Sequence, residues 1–228
     1  MDRALRLVAL LPMKAHSERV KGKNFRVLHS KPLFRWILDT LLSIEEIDLV
    51  VINTDAESLL RENGLELSDR ILIRPRRREL CGDFVSMNSI LQDDIVTVPA
   101  ECYLMTHTTN PLLRASTIRS ALGLYYSKKA NDLADSLFSV TKCQSRFYRA
   151  DGSPVNHDPK NLVRTQDLEP WFEENSNLYI FSATSFLATN ARIGQMPILF
   201  PIPKPEAVDI DDQDDWTIVE MLMKGMFA

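Results

Sequence analysis

Short apolar runs alternate with amphipathic stretches along most of the chain. Continuous apolar runs, which are typical of strands buried on both faces, occur at 5–11, 49–52, 71–73, 103–105, 137–140, 178–181 and near Leu199. Between them, helical spacing predicts helices over 33–43, 56–63, 86–94, 116–128, 183–189 and about 213–224. Strands that alternate with helices favour crossover units and a mostly parallel sheet. We therefore predict a three-layer α/β fold.

This alternation stops after Thr141. Residues 142–172 are polar and contain turn-forming pairs such as Asp151-Gly152. A stretch of this length without its own packing is unusual in a compact domain and tends to be functional. Two interpretations stay open: a β-hairpin lid over a site, or an arm that packs on a second subunit. We interpret residues 1–228 as a single domain with this excursion inserted in it.

Composition narrows the class of protein. A chain of 228 residues that is 45% apolar and 25% charged suits one soluble globular domain. Its net charge of −4 gives no reason to expect a nucleic-acid-binding surface. Cys81, Cys102 and Cys143 form no CxxC pair, and the apolar run at 5–11 is too short for a signal peptide or a membrane span. We expect a cytoplasmic protein with no nucleic-acid or membrane partner.

The loop at 12–24 follows the first predicted strand and is rich in cations. It contains Lys14, Arg19, Lys21 and Lys23, together with Ser17 and Gly22. Ligands of parallel sheets bind beyond the carboxyl ends of the strands, and such side chains neutralise or donate to phosphate oxygens. The spacing is not that of a Walker A loop. Spacing alone leaves two interpretations, a phosphate site and a solvated surface loop.

Carboxylates are concentrated near the end of the chain, in VDIDDQDD at 208–215. Alternation through Val208 and Ile210 predicts a short strand with Asp209 and Asp211 on one face. Paired carboxylates repel each other unless a cation lies near them, and hard oxygen ligands suit Mg²⁺ on a nucleotide phosphate. Helix capping is the alternative, and it accounts for Asp212, Asp214 and Asp215.

Two further polar segments follow predicted strands. In the first, at 106–110, His107 could contact a substrate carboxylate or hydroxyl, or be a hydrogen-bonded structural histidine. In the second, Arg74 lies at a strand end and could face a nucleotide. The three arginines that come soon after it, at 76–78, read as solvated surface.

Taken in order, these segments resemble the acylneuraminate cytidylyltransferases, the CMP-sialic acid synthetases. LPMKAHSERVKGKN is similar to the family's I-P-A-R-G-G-S-K-x-x-x-x-K-N, NSNLYIF to its N-G-A-I-Y-I, and VDIDDQDD to its I-D-I-D-x-x-x-D. LHSKPLFRWILDTLL, VVINTDAESL, IRPRRRELCGDFVS and HTTNPLL also look like family motifs in the same order. The resemblance implies a Rossmann-like nucleotidyltransferase fold. It also implies an enzyme that transfers CMP from CTP to the anomeric hydroxyl of an acidic nine-carbon (nonulosonic) sugar and releases pyrophosphate.

The resemblance also implies roles for individual residues. It implies catalytic roles for Lys23, Lys14 and Asp211, and nucleotide contacts from Lys14, Ser17, Arg19, Lys23, Asn24, Arg74 and Ser86. It implies acceptor contacts from His107, Thr109, Arg164, Gln166, Asn175 and Tyr179, and Mg²⁺ or Mn²⁺ on Asp209 and Asp211. The excursion at 142–172 looks like the family's dimerisation arm, which implies a homodimer with composite sites.

The chain also departs from the family pattern at several positions. Ala15 and His16 replace glycines, Glu18 replaces a lysine, His107 a glutamine and Leu113 an arginine. These departures favour legionaminic, pseudaminic or another nonulosonic acid as the acceptor rather than N-acetylneuraminic acid. Two alternatives remain: a cytidylyltransferase for 3-deoxy-manno-octulosonate or another sugar or polyol, and a non-catalytic nucleotide-binding protein.

Overall fold

The structure, a computed structural model, describes the backbone of residues 4–227 and the side chains of residues 4–226. The strands are β1 Leu5–Leu10, β2 Val27–Leu28, β3 Lys31–Pro32, β4 Leu49–Thr54, β5 Ile71–Pro75, β6 Ala100–Met105, β7 Ser136–Cys143, β8 Trp171–Phe181 and β9 Pro197–Pro201. The helices are α1 Leu33–Leu42, α2 Glu57–Glu62, α3 Met87–Thr97, α4 Ala115–Lys129, α5 Ala183–Thr189 and α6 Gln213–Phe227.

Seven strands form one sheet in the order β5-β4-β1-β6-β8-β7-β9. All neighbours are parallel except β8, which runs antiparallel to both β6 and β7. The chain moves from β1 outward to β4 and later returns to β6 on the other side of β1. Such a reversal of strand order opens a crevice beyond the carboxyl ends of the strands, where ligands bind.

Helices cover both faces of the sheet, which confirms the predicted three-layer α/β fold. Alternate residues of β1 point to opposite sides: Leu7 and Ala9 join α1 and α4 in one apolar cluster, and Val8 and Leu10 join α3 and α5 in another. Because both faces are buried, β1 has no polar alternation.

A third apolar cluster joins α6 to the first loop. Trp216 is fully buried against Val20 and Leu28, and the Arg26 guanidinium lies 4.1 Å from the centre of its ring. The small antiparallel hairpin of β2 and β3, which has no apolar run to mark it in the sequence, supplies part of this surface. The packing brings the end of the chain onto the loop that follows β1.

The structure corrects one predicted strand and the start of another. Residues 208–210 lie outside any strand, so the predicted short strand is wrong; Ile210 N donates to Thr109 O (3.0 Å) without continuing a ladder. β8 begins at Trp171, far before the apolar run at 178–181, because its polar first half pairs with β7. The pairing is interrupted by a bulge between Phe138 and Val140.

The excursion predicted at 142–172 is the connection between the paired strands β7 and β8. These strands include its end residues, 142–143 and 171–172, so the excursion proper is 144–170. Residues 144–170 contain an isolated bridge between Tyr148 and Pro154 and a 3-10 turn at Thr165–Asp167. The roles of lid and of dimerisation arm both stay predictions. Among the described helices, none has both the length and the apolar character that crossing a bilayer requires.

Candidate active site

A cleft of about 410 Å³ opens beyond the carboxyl ends of β1, β5 and β6. Eight of the residues singled out from the sequence line it: Lys14, Ser17, Arg19, Lys23, Asn24, His107, Thr109 and Asp211. The loop after β1 forms one wall. The segment that follows β5 and the start of α3 form another. The reversal of strand order therefore coincides with the chemistry that the sequence predicted.

Lys23 and Asp211 meet in this cleft although they lie far apart in the sequence. The Lys23 ammonium donates to Ile210 O at 2.5 Å and lies 3.9 Å from Asp211 Oδ1. Arg19 Nη2 lies 2.9 Å from the same carboxylate oxygen. Burial lowers the pKa of Lys23, and the carboxylates of Asp211 and Asp209 oppose that shift. A largely buried cation and a carboxylate thus share one side of the cleft.

Gly22 allows the turn that presents Lys23. Its φ of 62° lies in the left-handed region, where a residue without a Cβ is favoured. The Gly22 carbonyl accepts from Phe25 N and Arg26 N, both at 2.9 Å. The turn places Lys23 with only 12% of its side chain exposed.

Asn24 joins the two loops that follow β1 and β6. Its side-chain amide donates to Lys14 O at 2.8 Å, and Thr108 Oγ1 donates to its carbonyl at 2.6 Å. Both side chains are buried. Asn24 lines the cleft, but these bonds occupy its side chain, so its evident role is to hold the loops together. A direct nucleotide contact from Asn24 stays a prediction.

Lys14 connects opposite walls of the cleft. Its ammonium forms an ion pair with Asp83, in the segment between β5 and α3, and this hydrogen bond lowers the pKa of Asp83. Ala15, at a position where glycine was expected, donates its backbone N–H to Asp55 Oδ1 at 2.7 Å. The loop therefore has a defined conformation despite the lost glycines.

Arg76, rather than Arg74, is the arginine of this strand end that lines the cleft. Arg74 pairs instead with Asp93 (2.8 Å) and Asp94 of α3. Arg76 Nε donates to Asn53 Oδ1 (3.0 Å), and its Nη2 donates to the carbonyls of Met13 and Asn53. Burial lowers the pKa of Arg76, which contradicts its reading as solvated surface.

Ser86 is also placed differently from the expectation. Its hydroxyl accepts from Asn88 N at 3.3 Å and caps the N-terminus of α3. The neighbours Val85 and Met87 line the cleft, and Ser86 is not among the lining residues. A serine that precedes a helix is favoured as a cap whether or not a ligand binds nearby, so its spacing could not separate the two roles.

His107 lies at the end of β6 and remains partly open to the cleft. The protein around the ring disfavours its charged form, and the cations Arg192 and Lys23 add to this effect, so that the pKa of His107 falls to about 3. The imidazole is therefore neutral at physiological pH and can donate one hydrogen bond and accept another. That suits contact with a hydroxyl.

The carboxylates near the chain end divide into two groups. Asp212 Oδ1 accepts from the N–H groups of Asp214 (2.9 Å) and Asp215 (3.0 Å), and Asp215 Oδ2 accepts from those of Asp211 (2.9 Å) and Asp212 (3.0 Å). This arrangement confirms the predicted capping of α6. The side chains of Asp209 and Asp211 take no part in this capping.

Asp209 and Asp211 fit a hard divalent cation. Burial raises the pKa of Asp209, and the nearby Asp211 charge adds to that rise. Asn110 Nδ2 lies 3.5 Å from Asp209 Oδ1, and the Asn110 side-chain oxygen is buried without a partner. Among the described residues no three His, Cys, Asp or Glu side chains form a metal cluster. A cation here would need water or phosphate oxygens as its remaining ligands, as Mg²⁺ commonly does.

Four expected acceptor contacts lie outside the lining of the cleft. Arg164 bonds to Asp167 (2.7 and 3.0 Å) within the excursion, where Gln166 is exposed. The Asn175 side chain bonds to the hydroxyls of Ser139 and Thr141 in the bulge. The Tyr179 hydroxyl bonds to Glu174, and its ring is buried. Within this chain, these side chains do not reach the cleft.

The sequence of this chain is similar to those of known enzymes. A family model described as "Cytidylyltransferase" matches residues 8–220. A CMP-N,N'-diacetyllegionaminic acid synthase of Legionella pneumophila is 25% identical over 96% of this chain and 97% of its own length. An N-acylneuraminate cytidylyltransferase of Streptococcus agalactiae is 24% identical over 92% of this chain and 51% of its own length.

The fold also matches solved structures. A CMP:2-keto-3-deoxy-manno-octonic acid synthetase complexed with CTP superposes with a TM-score of 0.66, covering 97% of this chain and 99% of that one at 14% identity. At this identity the likeness establishes the fold alone. It confirms the expected nucleotidyltransferase architecture.

Proposed function

Because the chain belongs to the cytidylyltransferase family, we propose that it transfers CMP from CTP to the anomeric hydroxyl of a nonulosonic acid and releases pyrophosphate. The observation that carries the proposal is that the cationic first loop meets Asp211 in one cleft, where Lys23 Nζ lies 3.9 Å from Asp211 Oδ1. The similarity to a legionaminic acid synthase over nearly the whole of both chains supports an acidic nine-carbon acceptor.

In the proposed reaction the anomeric oxygen attacks the α-phosphorus of CTP in line. The bond from this phosphorus to the bridging oxygen of the β-phosphate breaks, pyrophosphate leaves, and the hydroxyl proton passes to solvent. Such phosphoryl chemistry depends mainly on positioning and charge stabilisation. Lys23 and Lys14 would neutralise phosphate oxygens, and Lys14 must exchange Asp83 for phosphate to do so.

The remaining residues of the cleft would position the two substrates. Arg76 lies at the end of β5 with one guanidinium nitrogen left free of the three bonds that anchor it, so it replaces Arg74 as our candidate nucleotide contact. Ser17, Arg19 and the backbone around Lys14 lie beside it in the lining. His107 and Thr109 would face the acceptor hydroxyls.

Asp209 and Asp211 would hold the Mg²⁺ or Mn²⁺. When bound, such a cation supplies positive charge to the phosphate oxygens and lowers the pKa of a coordinated hydroxyl. This proposal assigns Asp211 a second role, because the same carboxylate orients Arg19 (2.9 Å).

We also propose a cytoplasmic homodimer. The three free cysteines suit a reducing compartment. The excursion carries side chains that its own cleft does not use, together with exposed apolar groups such as Leu162. Both features are expected of an arm that completes a neighbouring subunit's site.

The test is pyrophosphate release with CTP and a panel of acids: N-acetylneuraminic, legionaminic and pseudaminic acids and 3-deoxy-manno-octulosonate. A no-sugar reaction and substitution of ATP or UTP for CTP are the controls. We expect release that requires both CTP and a nonulosonic acid. Preference for 3-deoxy-manno-octulosonate would favour the alternative acceptor, for which the fold similarity to that synthetase is the supporting observation. Tight CTP binding without release would indicate a non-catalytic nucleotide-binding protein.

A further inference from the structure

The acceptor in the proposed reaction carries a carboxylate, so its site needs a cation that the triphosphate does not occupy. Lys14 and Lys23 belong to the phosphate side of the cleft. Arg164, the cation expected from the sequence, is 73% exposed and is paired with Asp167 within the excursion. The inference below rests on the proposed function and concerns which residue supplies this charge.

Arg192 follows α5 and is held close to the cleft. Its backbone N–H donates to Asn88 Oδ1 (3.4 Å), and Asn88 directly follows Met87, which lines the cleft. Its guanidinium carbon lies 3.9 Å from the centre of the Tyr179 ring, a cation–π contact. Only 19% of the side chain is exposed. The guanidinium is therefore fixed in orientation without being remote from solvent.

The charge of Arg192 is only weakly matched. Among the described residues its ion pair is with Glu174 Oε1, at 3.4 Å. Charge-assisted hydrogen bonds are usually about 2.7–2.9 Å long, so this contact is loose. Glu174 also accepts a hydrogen bond from the Tyr179 hydroxyl. A guanidinium has five N–H donors, and among the described residues the guanidinium of Arg192 bonds only to Glu174, which leaves other donors for a second carboxylate.

Arg192 shares its electrostatic surroundings with the cleft. It is the cation that, after burial, contributes most to lowering the pKa of His107, ahead of Lys23. His107 lines the cleft, and a charge that acts on its ring also acts on a ligand beside it. Arg192 is not itself among the lining residues. Tyr179, on which it stacks, pairs with Met105 of β6, two residues before His107, so Arg192 lies next to the end of the cleft that His107 lines.

We propose that Arg192 binds the carboxylate of the acceptor sugar acid. Stacking on Tyr179 orients the guanidinium so that its fork can meet the carboxylate in a bidentate manner, and His107 hydrogen-bonds a neighbouring hydroxyl. Glu174 keeps the charge compensated before the acceptor binds. This assignment replaces Arg164, Asn175 and Tyr179 as direct acceptor contacts within one chain.

The experiment compares Arg192→Gln with Arg119→Gln, which removes an arginine of α4 that also has a long ion pair (3.6 Å to Glu46), as the matched control, using pyrophosphate release with the best acceptor from the panel. Loss of a charge-assisted hydrogen bond should raise the acceptor KM by roughly 10- to 100-fold in Arg192→Gln. The KM for CTP should change by less than about twofold, since the phosphate cations are intact. Arg119→Gln should leave the acceptor KM unchanged, because Arg119 lies outside the lining of the cleft.

A carboxamide analogue of the acceptor separates recognition from structural support. Wild-type enzyme should discriminate strongly against the carboxamide, and Arg192→Gln should lose most of that discrimination because the coupled partner is gone. Arg192→Lys keeps the positive charge but loses the paired N–H donors of the guanidinium. Its acceptor KM should therefore lie between those of wild type and Arg192→Gln. Thermal unfolding of each variant verifies that it is folded.

The outcomes are distinct. If wild-type enzyme shows no turnover with any acid, both the proposed function and this inference fail. If wild-type enzyme turns over and Arg192→Gln keeps the acceptor KM, the inference alone fails. Equal losses towards the acid, its carboxamide and CTP would identify Arg192 as a structural support and would also overturn it.

Discussion

The loops that close the cleft and the excursion at 144–170 are both polar, but they are held in different ways. Lys23 bonds to Ile210, 187 positions away in sequence, and Thr108 bonds to Asn24 across 84 positions. In the excursion, Arg164 bonds to Asp167, three positions on. A polar side chain gains a fixed place in a site when its partners come from distant parts of the chain. The hydrogen bonds of the excursion lie mainly within it, so they do not give its side chains a fixed place in the cleft.

This difference predicts that the cleft is complete for nucleotide chemistry within one chain, whereas the excursion matters through a second chain. Each of the following experiments tests one half of that contrast.

The largest effect is expected at Lys23. Lys23→Met removes a cation that would meet charge developing on the phosphate oxygens, and groups of this kind contribute about 10²- to 10³-fold to turnover. We expect kcat/KM for pyrophosphate release to fall by roughly that factor. Lys21→Met, on the exposed side of the same loop, is the control and should stay near wild type. Retention of more than about a tenth of the activity in Lys23→Met would remove Lys23 from the mechanism.

A smaller effect is expected at the end of β5, where two arginines have different roles. Arg76→Gln should raise the KM for CTP about tenfold, because it removes a charged donor from the cleft. Arg74→Gln breaks a buried pair with Asp94 and should lower the free energy of unfolding by about 3 kcal/mol while leaving the KM for CTP close to wild type. Steady-state kinetics and denaturant unfolding of both variants measure the contrast; a reversed pattern would restore Arg74 as the nucleotide contact.

The protonation of His107 should make stability depend on pH. Its folded-state pKa is depressed from 6.5 to about 3, so this contribution to stability is complete above pH 6.5 and is lost as pH falls. Between pH 7 and pH 5 the unfolded imidazole gains a proton that the folded one does not, which costs about 2 kcal/mol. In His107→Gln, the free energy of unfolding should fall by about 2 kcal/mol less than in wild type between pH 7 and pH 5. His16→Gln, exposed on the first loop, is the control, and equal pH curves for wild type and His107→Gln would contradict the prediction.

The smallest effect tests the excursion by mixing two impaired proteins. If Arg164 completes the partner's site in a homodimer, Arg164→Ala and Lys23→Met are each impaired, but a mixed dimer has one intact site. Because half of the dimers in an equal mixture are mixed, about a quarter of wild-type activity should return after refolding together. Activity no higher than the mean of the two variants would argue that the excursion does not cross between subunits.

Much of the fold was visible in the sequence because its signals are local. Continuous apolar runs indicated the strands of the parallel core, and helical periodicity indicated the helices. The first half of β8 and the β2–β3 hairpin gave no such signal. The first half of β8 is polar and owes its conformation to pairing with β7. Its register, including the bulge near Phe138, depends on a neighbour and not on its own residues.

In the candidate site, too, the features with local signals could be predicted from the sequence. The cation-rich loop and the carboxylate pair could be recognised from residue types at short spacing, and the capping role of Asp212 was also local. The choice between Arg74 and Arg76 could not be made this way, because two positions along an extended segment leave both near the same strand end. The packing of α3 separates the two arginines, because Asp93 and Asp94 of this helix form ion pairs with Arg74. Arg192 carried no motif and became a candidate only through Tyr179 and His107.

The sequence by itself determined the three-layer architecture and the edge of the sheet at which the chemistry lies, because periodicity and the order of strands and helices depend on neighbouring residues. Only the tertiary structure decided which charged side chains face the cleft. That choice depends on hydrogen bonds and ion pairs between segments that are distant in the chain, such as Lys23 with the Ile210–Asp211 turn. Their geometry is fixed by the packing of α6 against the first loop and of α3 against the sheet.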